Sequence, residues 1–425
     1  MIQHINNNIG FANVSKNGRM LGIASFIFVV SAVSLLMPVY AWNNTYIIYI
    51  IAYIVGIICL LTIIMNQKTL ENNMIIVSMF YLILVVWQLL PFRSNVNIGY
   101  GGKVIGLFLV IFFIYLSDDA KRKIFSQIQI IFGILGLASF FVVLFLALGT
   151  ELPYHIMNYN RGNPGEFFFL YPGAVIAMGK MTAFDLPTGG VLVRSSGIFA
   201  EPGHFGVICG ILLAANGFSI GSIRNKMILL GGISTFSGSF YLIMFLCLLV
   251  KPISGHRLLS KSFLVISTGV ILFFTIMILL FINSPIEFQN RALWGRIDQI
   301  QNIEDLTEHR AVDEFNDFFN TYKTSLQSMI GVGTLDEMNI RASDWRGEVA
   351  RYGWPIILFY FIFYFLFFMA SRKDKTIKLP LSIALAVVAF HRVSYIDSCL
   401  VIVIVASALL GDTKNVRIHQ CVRAN

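Results

Sequence analysis

The sequence predicts an all-α polytopic membrane protein, and three observations carry that prediction. Of 425 residues, 57% are hydrophobic and only 12% charged, with 38 Phe, more apolar surface than a soluble core requires. The apolar residues fall in long uncharged runs suited to helices crossing a hydrocarbon layer about 30 Å thick. These runs are continuous rather than alternating, which argues against a β-barrel. Lys and Arg gather in the short connections on alternate turns of the chain, the pattern that fixes orientation in a bilayer.

Residues 1–19 are polar and rich in Asn, and Lys16 and Arg19 precede the first apolar run, 20–40. That run shows no small-residue cleavage site, so an uncleaved signal-anchor helix is expected. Further spans follow at 46–65, 74–92, 101–117 and 124–149. Lys16 with Arg19, then Lys68, then Lys121-Arg122-Lys123 assign the N-terminus and these connections to the cytoplasm. Residues 93–100 and 150–200 then lie outside, and the second is too long to be a mere connector. Its cluster Phe167-Phe168-Phe169-Leu170-Tyr171 suits the membrane interface.

A span at 201–220 returns the chain to Arg224 and Lys226. The apolar stretch 227–250 has cytoplasmic charge signals at both ends but is too short to cross twice. Its small, polar centre, Thr235-Phe-Ser-Gly-Ser239, suggests two short helices meeting at a break inside the bundle; one ordinary span is the alternative. A span at 262–283 leads to a second large outer loop, 284–346. Its apolar residues recur among charges from Arg296 to Tyr322, as in amphipathic helices. A span at 347–370 precedes Arg372-Lys373-Asp374-Lys375. Segments 379–391 and 396–411 then form a last hairpin with a cytoplasmic C-terminal tail; one long span with an external tail is the alternative. The total is about twelve transmembrane helices, short and broken ones included, in one integral membrane domain over 1–425 with two large extracytoplasmic loops, 150–200 and 284–346.

The net charge of +9 does not indicate a nucleic-acid partner, because the cations are dispersed over short connections. The five cysteines show no metal-ligand spacing, so neither a disulfide framework nor a zinc site is expected. No internal repeat is visible.

Sorting the cations by side exposes an asymmetry. The outer set contains Lys103, Lys180 and Lys323 but ten Arg, among them Arg194, Arg291, Arg310 and Arg392. Lys is sufficient for topology, whereas the guanidinium offers a planar fork that binds phosphate bidentately. The outer face is therefore equipped for a phosphorylated ligand, and pairing of these Arg with loop acids is the competing reading. Within 194–205, Pro202 suits the first turn of a helix. Glu201 would then stand at the positive end of the helix dipole, with a capping role as its alternative. His204 is either a catalytic neighbour or a hydrogen-bonded spacer.

The run Arg194-Ser-Ser-Gly-Ile-Phe-Ala-Glu-Pro-Gly-His204 resembles the R-x-x-G-x-F-x-E-P-G signature of Wzy-type O-antigen and exopolysaccharide polymerases. Thr235-Phe-Ser-Gly-Ser239 is similar to the T-x-S motif of that family and of the related O-antigen ligases. Arg310 upstream of Ile330-Gly-Val-Gly-Thr334, and Tyr352-Gly353 at the start of a span, extend the resemblance over roughly residues 70–410. The resemblance implies a GT-C-like glycosyltransferase that polymerises undecaprenyl-diphosphate-linked oligosaccharide repeat units into O-antigen or a related surface polysaccharide. The reaction would occur on the outer face of the bacterial cytoplasmic (inner) membrane.

It also implies roles for residues. Arg194 and Arg310, with Arg291 as a third, would hold the diphosphate; Glu201 would act as base or orient the acceptor. His204, Arg392 and Tyr395 would contact substrate. No metal or cofactor is required by that scheme. The implied partners are the lipid-linked glycan, membrane lipid and a chain-length regulator protein. An O-antigen ligase acting on lipid A-core shares the donor, and a flippase of lipid-linked oligosaccharide is the alternative from another class.

Overall fold

The computed structural model describes residues 20–36, 38–40, 45–66, 74–92, 98–158, 167–178, 183–185, 190–250, 313–333, 344–371, 373–391 and 393–410. Most of these are helical. Two helices, Ile47–Met65 and Asp118–Ala147, are long and apolar enough to cross a membrane by length and composition. Shorter apolar helices accompany them, among them Met20–Ser34, Ile75–Leu89, Pro202–Ala215, Gly238–Val250 and Cys399–Leu410. The set is compatible with membrane insertion. The span expected at 262–283 and most of the 284–346 loop lie outside the described residues.

The chain divides into two units, residues 1–128, 354–373 and 397–425, and residues 129–353 and 374–396. In the first, α1 (Met20–Ser34), α2 (Thr45–Met65), α3 (Ile75–Leu89) and α4 (Ile98–Ile114) are followed by the start of α5 (Asp118–Ala147). α2 and α3 pack on α4. The Ser31 hydroxyl donates to the Ala52 carbonyl at 2.6 Å, and Phe28 stacks on Phe113 at 5.7 Å. A buried polar link crosses this apolar packing: Gln88 Nε2 donates to the Tyr360 hydroxyl at 2.7 Å and to Asp397 Oδ2 at 3.0 Å. Ile50, Ile54, Ile58, Ile76 and Met79 are exposed on α2 and α3, as a lipid-facing surface would require.

The basic triplet at 121–123, expected in a connection, lies on α5 instead. Local chemistry explains the earlier start. The Ala120 amide donates to the Ser117 hydroxyl at 3.4 Å, Asp118 and Asp119 occupy the first turn where the helix dipole favours carboxylates, and Arg122 pairs with Asp119.

The second unit contains the remainder of α5 and a set of strands that modifies the all-helical expectation. Residues 150–200 carry a three-stranded antiparallel sheet of β1 (His155–Asn158), β2 (Phe167–Tyr171) and β3 (Ala174–Met178), and a two-stranded sheet of β4 (Ala183–Asp185) and β5 (Val191–Val193). The Phe167–Tyr171 cluster is thus a central strand. Phe168 is buried, and Tyr171 packs on a core formed by Val142, Val143, Ala174, Ile176 and Val193.

Helices α6 (Pro202–Ala215), α7 (Ile223–Ser234) and α8 (Gly238–Val250) follow, with α7 and α8 both packed on α6. The α6–α7 turn is organised by buried Asn225, whose Nδ2 donates to the Ser219 carbonyl and whose Oδ1 accepts from Gln129 at 3.2 Å. α5 and α7 cross closely because both present glycine: a Cβ on Gly136 would lie 3.1 Å from Gly231 Cα. Such small-residue crossings bring backbones together in membrane helices.

The same unit contains α9 (Asp313–Tyr322), α10 (Trp345–Tyr352) and α12 (Lys375–His391); α11 (Pro355–Ala370) and α13 (Cys399–Leu410) belong to the first. The expected span 347–370 is therefore interrupted at Gly353, which takes φ 82°. α12 packs on α6 and α8, and its first turn begins at Lys375, earlier than the expected 379.

Candidate functional site

Stretches 194–205 and 235–239 meet the turn of the expected last hairpin, at His391 and Val393–Tyr395, within the second unit. Residues 195–197 extend the β3 edge: the Ser196 amide donates to the Val175 carbonyl at 2.8 Å, and the Val175 amide donates to the Gly197 carbonyl at 2.6 Å. Gly197 takes φ 60°, and a Cβ there would lie 2.7 Å from the Phe205 ring. Only glycine fits both demands. Phe205 in turn stacks on Phe132 at 6.1 Å and packs tilted against Phe199 at 6.4 Å, which fixes the entry into α6.

Pro202 opens α6, and Glu201 occupies the N-cap position in an extended conformation, with no hydrogen bond from its side chain to the helix amides. The carboxylate does not serve as the cap. Instead Glu201 Oε2 lies 3.7 Å from His204 Nε2. The His204 ring lies against Tyr395 at 4.6 Å, and Tyr395 ends the short 3-10 turn Val393–Tyr395 that packs on α10 and α12.

The 235–237 break is tied to this surface on two sides. α7 ends at Ser234, and Phe236 takes the left-handed φ of 46°, a costly conformation for a bulky residue. Carbonyls at a helix end need outside partners, and each carbonyl here has one. The Ser234 hydroxyl donates to the Gly231 carbonyl, and the Thr235 hydroxyl donates to the Gly232 carbonyl. The Ile233 carbonyl accepts from the Phe236 amide and from the Tyr241 hydroxyl. The Ser195 amide donates to the Ser234 carbonyl at 3.0 Å. Arg194 Nε donates to the Thr235 carbonyl at 3.3 Å. On the other side Gly206 of α6 admits the turn, since a Cβ there would sit 2.8 Å from Ser237 Cβ and 2.9 Å from Thr235 Oγ1. One turn further, the Ser239 hydroxyl is 2.8 Å from His391 Nδ1.

Arg194, Glu201, His204 and Tyr395 are thus placed around one helix junction. Arg291, Arg310 and Arg392 lie outside the described residues. Of the other arginines expected on the outer face, Arg346 and Arg351 follow the competing reading of pairing with loop acids. Arg346 Nη2 is 2.7 Å from Asp344, its Nη1 donates to Asn316 at 3.0 Å, and its guanidinium lies 5.7 Å from the Phe315 ring centroid. Arg351 pairs with buried Glu348 at 3.2 Å. These bonds organise α9 and α10.

The Ile330-Gly-Val-Gly stretch serves that structure too. The Val332 and Gly333 amides donate to the carbonyls of Ala350 and Arg351 at the end of α10, at 2.9 and 3.0 Å. Gly331 and Gly353 adopt φ of 96° and 82°. The Tyr322 hydroxyl donates to the Val349 carbonyl at 3.2 Å, and burial pushes that phenol up to about 12.

Two residues of the junction were not among the expected site residues, His391 and Tyr241. His391 closes the 379–391 segment, and its partner Ser239 is 152 residues away. Tyr241 is an ordinary apolar-helix residue by local pattern. Among the described residues no group of His, Cys, Asp and Glu is arranged to hold a metal ion. Comparison with family models, curated proteins and solved structures returned no match.

Proposed function

We propose that the chain is a membrane glycosyltransferase of the GT-C-like kind, with about twelve transmembrane helices, that polymerises undecaprenyl-diphosphate-linked repeat units into O-antigen or a related polysaccharide. The observation that carries the reading is the bond from Arg194 Nε to the Thr235 carbonyl, which ties the 194–205 stretch to the Thr235–Ser239 break. It anchors a cation suited to phosphate at that break, and the helix packed on the break through Gly206 begins with a carboxylate, Glu201, that is not committed to capping.

In the proposed reaction an acceptor sugar hydroxyl attacks the anomeric carbon of the donor glycan. The new glycosidic C–O bond forms as the bond to the diphosphate breaks, and undecaprenyl diphosphate leaves with the bonding pair. Arg194, with Arg310 and Arg291, stabilises charge developing on that diphosphate. Glu201 takes the hydroxyl proton or orients the hydroxyl; His391, paired with Ser239, is the alternative base offered by the geometry. His204, Tyr395 and Arg392 line the acceptor side.

The two loops 150–200 and 284–346 face the extracytoplasmic side of the inner membrane in this reading, with both termini cytoplasmic. The decisive test uses Arg194→Ala, Arg310→Ala and Glu201→Ala expressed to wild-type level in the membrane. Each should lose long-chain glycan while retaining surface core capped with a single repeat. Wild-type chain lengths in all three would end the reading, and loss of every capped form would indicate a ligase instead.

A further inference from the structure

We propose that Tyr241 is a positioning residue for Arg194, holding the guanidinium where it meets the diphosphate; this rests on the diphosphate role given to Arg194 above. α8 folds its first turns back on the end of α7 through two adjacent rings. Phe240 lies over Gly232, where any Cβ would strike its ring, and the Tyr241 hydroxyl donates to the Ile233 carbonyl at 2.9 Å. Two residues further along the same helix end, the Thr235 carbonyl accepts from Arg194 Nε. The phenol also lies within the field of the Arg194 charge.

Tyr241 and Arg194 therefore each hold one carbonyl of the same helix end, Ile233 and Thr235, beside a turn held in a left-handed conformation at Phe236. An arginine anchored by Nε has its plane set by that anchor, and its terminal nitrogens are the ones that engage an oxyanion bidentately. Releasing Ile233 from Tyr241 loosens the anchor and blurs the fork. The Tyr241 ring itself need not touch the ligand.

The test measures binding of undecaprenyl diphosphate to the purified full-length protein in lipid nanodiscs, with thermal midpoints recorded in parallel. Tyr241→Phe removes one hydrogen bond and keeps the ring; it should weaken binding about two- to tenfold with little change in midpoint. In an Arg194→Ala background the same substitution should add almost nothing, because coupled residues are not additive. Equal losses in both backgrounds, wild-type affinity for Tyr241→Phe, or a lowered midpoint at unchanged affinity would each overturn the proposal. Wild-type affinity for Arg194→Ala alone would instead remove the diphosphate role of Arg194, and this proposal with it.

Discussion

Gly206 and Gly238 offer a sharp contrast, because both border the 235–237 turn but only one is pressed against it. In a helix interior Ala is ordinarily favoured over Gly by about 1 kcal/mol. At Gly206 the added methyl would sit 2.8 Å from Ser237 Cβ and 2.9 Å from Thr235 Oγ1. A Cβ is fixed to its backbone and cannot swing aside, so the upper part of the roughly 1–3 kcal/mol overpacking range applies. Subtracting the propensity gain leaves Gly206→Ala destabilised by about 1–2 kcal/mol. The loss should be accompanied by shortened glycan chains, since the turn carrying the Thr235 carbonyl is displaced. At Gly238 a Cβ meets nothing within 4 Å, so Gly238→Ala should remain within about 0.5 kcal/mol of wild type. Unfolding of the detergent-purified chain and glycan length in complemented cells provide the two readouts. A Gly206→Ala protein as stable and active as wild type, beside a damaged Gly238→Ala protein, would refute the packing argument.

Further outcomes follow from the same geometry. Glu201→Gln should abolish chain extension with an unchanged unfolding midpoint, because the side chain makes no cap bond; a loss near 1 kcal/mol would restore the capping role. Gly331→Ala and Gly353→Ala should each destabilise by more than about 1 kcal/mol, since both residues need positive φ, and unmoved midpoints would contradict that. Burial raises the Tyr322 phenol from its ordinary 10.0 to about 12. The folded state thus holds this proton more tightly than the unfolded chain, and the contribution is present below pH 10 and lost as pH rises through about 12. Tyr322→Phe should flatten the alkaline loss of stability in that window; an unchanged alkaline limb would count against the assignment.

The helical framework was legible because continuous apolar runs leave few alternatives. The run at 46–65 became α2, and the polar centre of 227–250 became the break between α7 and α8. Charge placement was a poorer guide to helix ends. The triplet at Lys121 looked like a connection, whereas Ser117, Asp118 and Asp119 carry the local start signal. The small sheet escaped because Phe167–Tyr171 is apolar at every position and so lacks the alternation that marks a half-buried strand. At the site, Pro202 and Glu201 could be placed from helix-start chemistry alone. The bonds between Arg194 and Thr235 and between Ser239 and His391 could not, since they depend on tertiary packing across 41 and 152 residues.

Capping and catalysis need not compete at Arg194. Its Nε sits at the C-terminal end of α7, where the helix dipole is negative and a cation is stabilised; the fork is thereby kept in place beside apolar surroundings. α8 begins at Gly238, so the amide end of a second helix opens at the same turn, with the sign that favours an anion. In the proposed reaction the cap would organise the cation, and the break would supply a field of the same sign for the diphosphate. Arg194→Lys separates the two contributions. A lysine can satisfy the Thr235 carbonyl with one donor and retain the charge, so the unfolding midpoint should hold. It cannot present a planar bidentate fork, so long-chain glycan should still be lost. Full chain length in the Arg194→Lys strain would reduce Arg194 to a point charge at a helix end.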